Sequence, residues 1–211
     1  IHYFSSWVDY NLMKSNFSLG LNISNEFEEV YKLSTSHISP SFSYEINLNY
    51  SWVLRSGVQF SIVDSRLSND LIFLDQFNTD GTIGTSAENL MVYNNRNYLS
   101  LAMGILAYSE KIWIGGSIYN LNEPNISFTN EKNNLDRLYS FHIGFKIDKL
   151  KMSPSLHFKK QAKFNQLDIG TYFDLEPIKF GVWYRGIPID SNNNFNSLIS
   201  SLGINFKDFI M

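Results

Sequence analysis

Hydrophobic and polar residues alternate with a period of two along most of the chain. Phe17, Leu19, Leu21 and Ile23 are interleaved with Ser18, Gly20, Asn22 and Ser24. Phe42, Tyr44, Ile46 and Leu48 alternate with Ser43, Glu45 and Asn47, and Leu99, Leu101, Met103 and Ile105 with Ser100, Ala102 and Gly104. The same rhythm runs through Tyr139–Ile147 and Gln166–Phe173. Successive side chains of a strand point to opposite sides, so this pattern predicts strands with one apolar and one polar face. The predicted strands cover residues 2–12, 17–24, 35–48, 52–63, 97–108, 111–121, 136–147, 151–160, 164–173, 178–185 and 198–206. Most are about 8–13 residues long, beyond the usual ~5–6 of soluble sheets and near the ~9–11 that cross a bilayer. No long helix is expected; the acidic stretch Asn25–Val30 suits a short helical turn inside a loop.

The connections carry a second signal. Segments 13–16, 49–51, 109–110, 148–150 and 174–177 are short, whereas 25–34, 64–96, 122–135 and 186–197 are long. Only 161–163 breaks the alternation. In an up-and-down sheet, alternate turns lie at opposite ends, so one end carries short turns and the other long loops. Outer-membrane barrels have this asymmetry. The expected fold is therefore all-β, an antiparallel up-and-down transmembrane β-barrel forming one domain over residues 1–211, with its longest loop at about 64–96. Trp7, Tyr50, Trp52, Trp113, Tyr139, Tyr172, Trp183 and Tyr184 fall near strand ends, where aromatic girdles form. A soluble two-layer β-sandwich would also alternate, and the apolar face alone does not separate lipid from core.

Composition removes several other classes. The 211 residues contain no cysteine, which excludes disulfide scaffolds and thiolate metal sites. No apolar run reaches the ~18 residues of a spanning helix. A net charge of −3 and a pI near 5.8 argue against nucleic acid as a partner. Asn and Ser supply 51 residues, suited to turns and a wetted face. The chain starts at Ile1 without a basic-then-apolar leader and ends on Phe209-Ile210-Met211, so both termini are expected to be truncated.

Little of the chemistry points to catalysis. His2, His37, His142 and His157 are scattered over separate strands, with His142 and His157 on adjacent strands and on the polar side. Two histidines in a wet lumen account for that placement without a metal. No HExxH or GxSxG motif occurs, and a Ser-His-Asp site needs an oriented base that spacing alone does not supply. Asp75, Asn78 and Asp80 before Gly81 fail the calcium-loop spacing, because Phe77 occupies a ligand position; Thr79-Asp80-Gly81 suits a turn. Arg185 is placed to pair with Asp168 on the preceding strand, and Trp183 shares its face while Tyr184 does not. Lys159, Lys160 and Lys163 suit a solvated rim. No catalytic residue, metal or cofactor is expected.

Three segments, in order, resemble one family. They are Leu71-Ile72-Phe73-Leu74-Asp75-Gln76-Phe77-Asn78, then Trp113-Ile114-Gly115-Gly116 running to Asn120-Leu121-Asn122-Glu123-Pro124-Asn125, then Phe180-Gly181-Val182-Trp183-Tyr184-Arg185-Gly186. Their order and spacing resemble the PorP/SprF outer-membrane proteins of the type IX secretion system, with Asn120 standing where that family has His. The resemblance implies a non-enzymatic barrel in the outer membrane of a Bacteroidota-type bacterium, contacting outer-membrane lipid. It also implies partners: type IX secretion components, a large secreted surface adhesin, and periplasmic peptidoglycan-linked machinery, with a role in secretion, surface anchoring or gliding motility. Family barrels have more strands than the eleven counted, so the barrel in this chain is expected to be incomplete. Candidate partner or loop contacts are Phe73, Asp75, Gln76, Phe77, Asn122, Pro124, Asn125, Trp183 and Arg185. A passive porin-like channel and a soluble β-sandwich adhesin are the competing functions.

Overall fold

A computed structural model describes residues 1–12, 15–29, 32–67, 81–82, 84, 95–187, 197–206 and 209–210. The strands are β1 (His2–Asn11), β2 (Phe17–Glu28), β3 (Leu33–Asn47), β4 (Val53–Leu67), β5 (Asn95–Tyr108), β6 (Ile112–Tyr119), β7 (Leu138–Phe145), β8 (Met152–Gln161), β9 (Phe164–Leu175), β10 (Ile178–Ile187), β11 (Ser197–Phe206) and the two-residue β12 (Phe209–Ile210). The only helical element among the described residues is one 3-10 turn, Asp148–Leu150. Every strand pairs antiparallel with its sequence neighbours, from β1 through to β12 in one sheet. The sheet is open: β1 and β12 stand at its two ends.

The register shows why alternation specifies this sheet. Residues facing each other across neighbouring strands lie on the same side, so one row can be followed through β3 to β11. It contains Ile46, Leu54, Ala107, Ile114, Ile143, Leu156, Ile169, Tyr184 and Leu198. The adjacent row, one residue along, contains Glu45, Arg55, Leu106, Gly115, His142, His157, Asp168, Arg185 and Ser197. A slip of one residue in any pair would mix the two faces.

The apolar side is exposed. Ile46 (43%), Ile143 (38%) and Ile169 (46%) face outward with nothing of the chain over them. Within the described strands, the buried apolar side chains are instead Val63 and Ala102, and both lie on the polar side. A soluble sheet buries its apolar face and wets its polar one. The reverse arrangement needs an apolar solvent around it, as a bilayer supplies.

Two expectations are corrected here. Asn25–Val30 is not a helical turn over its described residues: β2 continues to Glu28, with Asn25, Glu26, Phe27 and Glu28 facing Ser36, Thr35, Ser34 and Leu33 of β3. The cross-strand ladder overrides the local composition, and Asn25 donates to Ser36 Oγ at 2.8 Å. The connection between β2 and β3 is therefore short, spanning 29–32. The asymmetry survives, because the three longest connections, 68–94, 120–137 and 188–196, share one end, and those at the other end are short. At the long-loop end, β2 to β5 continue past the apolar band, and their outer face turns polar with Ser34, Ser36, Asp64, Arg66, Asn95 and Asn97.

The second correction concerns the girdle. Trp113, Tyr172 and Trp183 point to the polar side, not toward lipid. Each faces a glycine on the next strand: Trp113 opposite Gly144, Trp183 opposite Gly170, Tyr172 opposite Gly181. The rings fill the spaces those glycines leave. A methyl group at Gly144 would sit inside the Trp113 indole, and one at Gly170 inside the Trp183 indole. Tyr172 and Trp183 meet edge to face, with centroids 5.5 Å apart. Trp7 also lies on the polar side, opposite Asn22, whereas Tyr139 and Tyr184 face outward.

Candidate functional site

The polar face at the long-loop end is built differently on its two flanks. On β3 to β5 it is rich in small hydroxyl residues bonded to one another, with His37 and Tyr98 on either side of Val63 and Arg96 opposite Ser65. Ser39 Oγ donates to Ser61 Oγ at 2.8 Å, and Gln59 Nε2 donates to the same oxygen at 3.0 Å. Ser39, Ser61, Ser65 and Ser100 are buried, together with Val63 at 1% exposure. Buried hydroxyls are tolerated because they bond to each other.

The motif running from Asn120 to Asn125 closes this flank. β6 ends at Tyr119, so the first part of β5, before Met103, lacks a strand partner on that side. Leu121 donates its N–H to Leu101 O at 2.9 Å, continuing the ladder for one more bond. The Asn122 side-chain amide then acts as a peptide unit: Oδ1 accepts from Leu101 N at 3.0 Å, and Nδ2 donates to Leu99 O at 2.7 Å. Asn120 adopts a left-handed φ of 55°, which Asn tolerates well. Its amide joins Ser100 Oγ (2.8 Å) to Asp136 O (3.2 Å). Asn125 Oδ1 accepts from Ser127 N and Asn133 N, and its carbonyl accepts from Arg96 Nε at 3.0 Å. Pro124 is buried, with its carbonyl accepting from Leu135 N at 2.9 Å. Asn122 thus ties the loop to β5, and Asn125 shapes the loop and accepts from Arg96 of β5.

On β7 to β10 the polar face carries long charged and aromatic side chains. Asp168 is 4% exposed and is the buried charged residue among those described. Gln166 Nε2 donates to both its oxygens at 2.9 Å, Arg185 Nε to Oδ2 at 3.3 Å, and the Gly186 backbone N–H to Oδ1 at 3.3 Å. The expected Arg185–Asp168 pair is therefore present. Gly186 has a φ of 87°, and the β9–β10 register shifts between Arg185 and Ile187. Asp168 thus pins a bulge where β10 leaves the sheet toward the 188–196 connection, a position where bulges re-aim the chain. Trp183 lies on the same side as Arg185, fixed over Gly170, and Tyr184 on the other, as the alternation predicts.

His142 and His157 face each other across β7 and β8, rings edge to face with centroids 6.3 Å apart. Ser140 Oγ lies 2.7 Å from His157 Nε2, and Asp168 is the cross-strand neighbour of His157. These three residue types suggest a Ser-His-Asp relay, but the Asp168 carboxylate is taken by Gln166, Arg185 and Gly186. No hydrogen bond joins it to the imidazole among the described residues, so the relay is not assembled. No group of three His, Cys, Asp or Glu among the described residues is placed to hold a metal ion.

The candidate contacts therefore divide into three sets. Phe73, Asp75, Gln76 and Phe77 lie outside the described residues, as do Thr79 and Asp80 of the expected turn. Gly81 of that turn has the left-handed φ of 82° that the turn requires. Asn122, Pro124 and Asn125 are brought together in the β5-capping loop. Trp183 and Arg185 stand apart from them, on the opposite flank. Sequence reasoning gave no role to Gln166 or to the glycines under the rings, and read Lys159 as part of a solvated rim. The glycines were findable, since Gly144 and Gly170 fall on the polar face of strands adjoining those of Trp113 and Trp183. The Asp168 cage depends on a bulge, which periodicity does not reveal.

No curated protein and no solved structure matches the chain. A family model does, that of the type IX secretion system membrane protein PorP/SprF, and it matches residues 2–211. That match spans every strand, the capping-loop motif and the Trp183–Arg185 segment, so the chain belongs to the PorP/SprF family of type IX secretion system membrane proteins.

Proposed function

We propose that this chain forms the wall of an outer-membrane β-barrel that serves type IX secretion through protein contacts and not through catalysis. The family match carries this reading. It is supported by an apolar outer face that continues across the strands, and by long loops gathered at one end. The long-loop end faces the cell exterior and contacts the translocon or a large surface adhesin; the short-turn end meets periplasmic, peptidoglycan-linked machinery. Secretion or anchoring of that adhesin, and gliding motility that depends on it, follow as the cellular roles. Trp183 and Arg185 serve as partner contacts at the mouth, along with Phe73, Asp75, Gln76 and Phe77 of the longest loop. Asn122, Pro124 and Asn125 contribute by holding the capping loop in shape.

The test is purification of the tagged full-length protein from detergent-solubilised outer membranes, with co-purifying proteins identified by mass spectrometry. Recovery of type IX components or one large adhesin is the expected result. A barrel recovered alone, with those proteins abundant in the starting material, contradicts the proposal and favours a porin-like channel. The channel reading draws on the half-exposed polar face with its ion pairs, Glu45–Arg55 and Asp168–Arg185.

A further inference from the structure

Among the described residues, the polar face of β8 to β10 holds more cationic groups than carboxylates can neutralise. Arg185 is engaged through Nε alone, and its two terminal nitrogens have no acceptor there. Its side chain is 47% exposed, while that of the Asp168 beneath is 6% exposed. Asp168 therefore fixes the guanidinium without covering it. Lys159, on β8, has no carboxylate partner among the described residues and faces Gln166 across the β8–β9 ladder. Lys159, Asp168 and Arg185 all lie within electrostatic range of His157. Lys146 and Lys179 near the opposite rim differ, since each is ion-paired, to Asp148 and Asp174.

We propose that Arg185 and Lys159, with Asp168 as positioning residue, form a carboxylate-binding subsite on the polar wall that takes an acidic side chain of a polypeptide entering at the long-loop end. The planar fork of an arginine matches a carboxylate bidentately, a geometry that lysine does not reproduce. The charge balance selects the ligand. Arg185 and Lys159 set against Asp168 leave one net positive charge, which a single carboxylate neutralises, whereas a phosphate dianion would leave the subsite with a net negative charge. The place selects a polypeptide: Arg185 sits directly before the bulge that opens into the 188–196 connection, at the mouth where the long loops gather.

The subsite deepens the proposed function, since it rests on the mouth meeting a protein partner. The test does not use type IX components, so the two can fail separately. The full-length chain in detergent is titrated calorimetrically, at low salt, with a ten-residue glutamate-rich peptide. A lysine-rich peptide of equal length and N-acetylglutamate amide serve as comparisons. Heat-modifiable gel migration checks that each variant is folded. The acidic peptide is expected to bind and the lysine-rich one not. Arg185→Gln is expected to weaken binding at least about tenfold, as for loss of a charged hydrogen bond. Arg185→Lys keeps the charge and is expected to weaken it nearly as much, and Lys159→Gln by several-fold. Lys149→Gln, at the other rim, is expected to leave it unchanged. Equal affinity of folded Arg185→Gln, Lys159→Gln and native protein overturns the subsite. So does absence of binding to the native chain, or binding of N-acetylglutamate amide as tight as that of the peptide.

Discussion

The flank of β3 to β5 and the flank of β7 to β10 obey one alternation rule, yet their polar faces differ in kind. The first is rich in small hydroxyl residues, interrupted by His37, Arg55, Arg96 and Tyr98. Ser39, Ser61, Ser65 and Ser100 are buried beside Val63 and Ala102, and the Asn120–Asn125 loop seals the free side of β5. The second carries two histidines, a lysine, an arginine and stacked aromatics, most of them half-exposed. In the first, the buried hydroxyls bond to neighbouring side chains and to the capping loop. In the second, glycines make room for large rings, and one buried carboxylate holds an arginine whose terminal nitrogens have no acceptor among the described residues. The two flanks thus differ in how their inward side chains are satisfied, and not in the rule that points them inward.

The largest expected effect breaks the second flank. Gly170→Ala places a methyl inside the Trp183 indole and should lower stability by about 1–3 kcal/mol, as overpacking does. Urea unfolding followed by tryptophan fluorescence measures this. Gly116→Ala is the matched control: its added methyl meets only Ser140 O at 3.6 Å, an ordinary contact, and should leave the midpoint unchanged.

Asp168→Ala comes next. It leaves Gln166 and the Gly186 N–H without their acceptor and frees Arg185, at a cost of about 1–3 kcal/mol. Proteolysis near the 188–196 connection should rise with it, because the bulge loses its pin. Asp168→Asn, which keeps an oxygen for Gly186, should cost less in both assays.

On the first flank, Asn122→Ala removes two hydrogen bonds that complete the β5 ladder, for about 1–2 kcal/mol. Hydrogen exchange should quicken at Leu101 N–H and leave β8 to β10 unaffected. The smallest effect is at Ser39 and Ser61. Either single alanine should cost about 0.5–1.5 kcal/mol, and the double variant less than the sum, because it removes both partners together.

Much of this was legible in the sequence. The eleven long strands and their faces follow from alternation, because a two-residue period has one consequence in a pleated sheet. The Arg185–Asp168 pair and the facing histidines follow from the same register. What alternation could not give was anything decided between elements. Asn25–Glu28 joined β2 because Leu33–Ser36 offered a ladder, and a window of acidic residues carries no sign of that partner. Trp113 and Trp183 turned inward because glycines on neighbouring strands made room, whereas position near a strand end suggested a girdle. The Asn122 amide replaces a peptide bond that β6 is too short to supply, and this depends on where β6 stops.

The central claim is that one face meets lipid and the other does not. With no cysteine in the chain, single cysteines can be placed along β10 from Ile178 to Arg185 and spin-labelled in reconstituted bilayers. Accessibility to oxygen, which concentrates in lipid, should alternate with a period of two and peak at Ile178, Phe180, Val182 and Tyr184. A flat profile, or peaks at Lys179, Gly181, Trp183 and Arg185, would contradict the account.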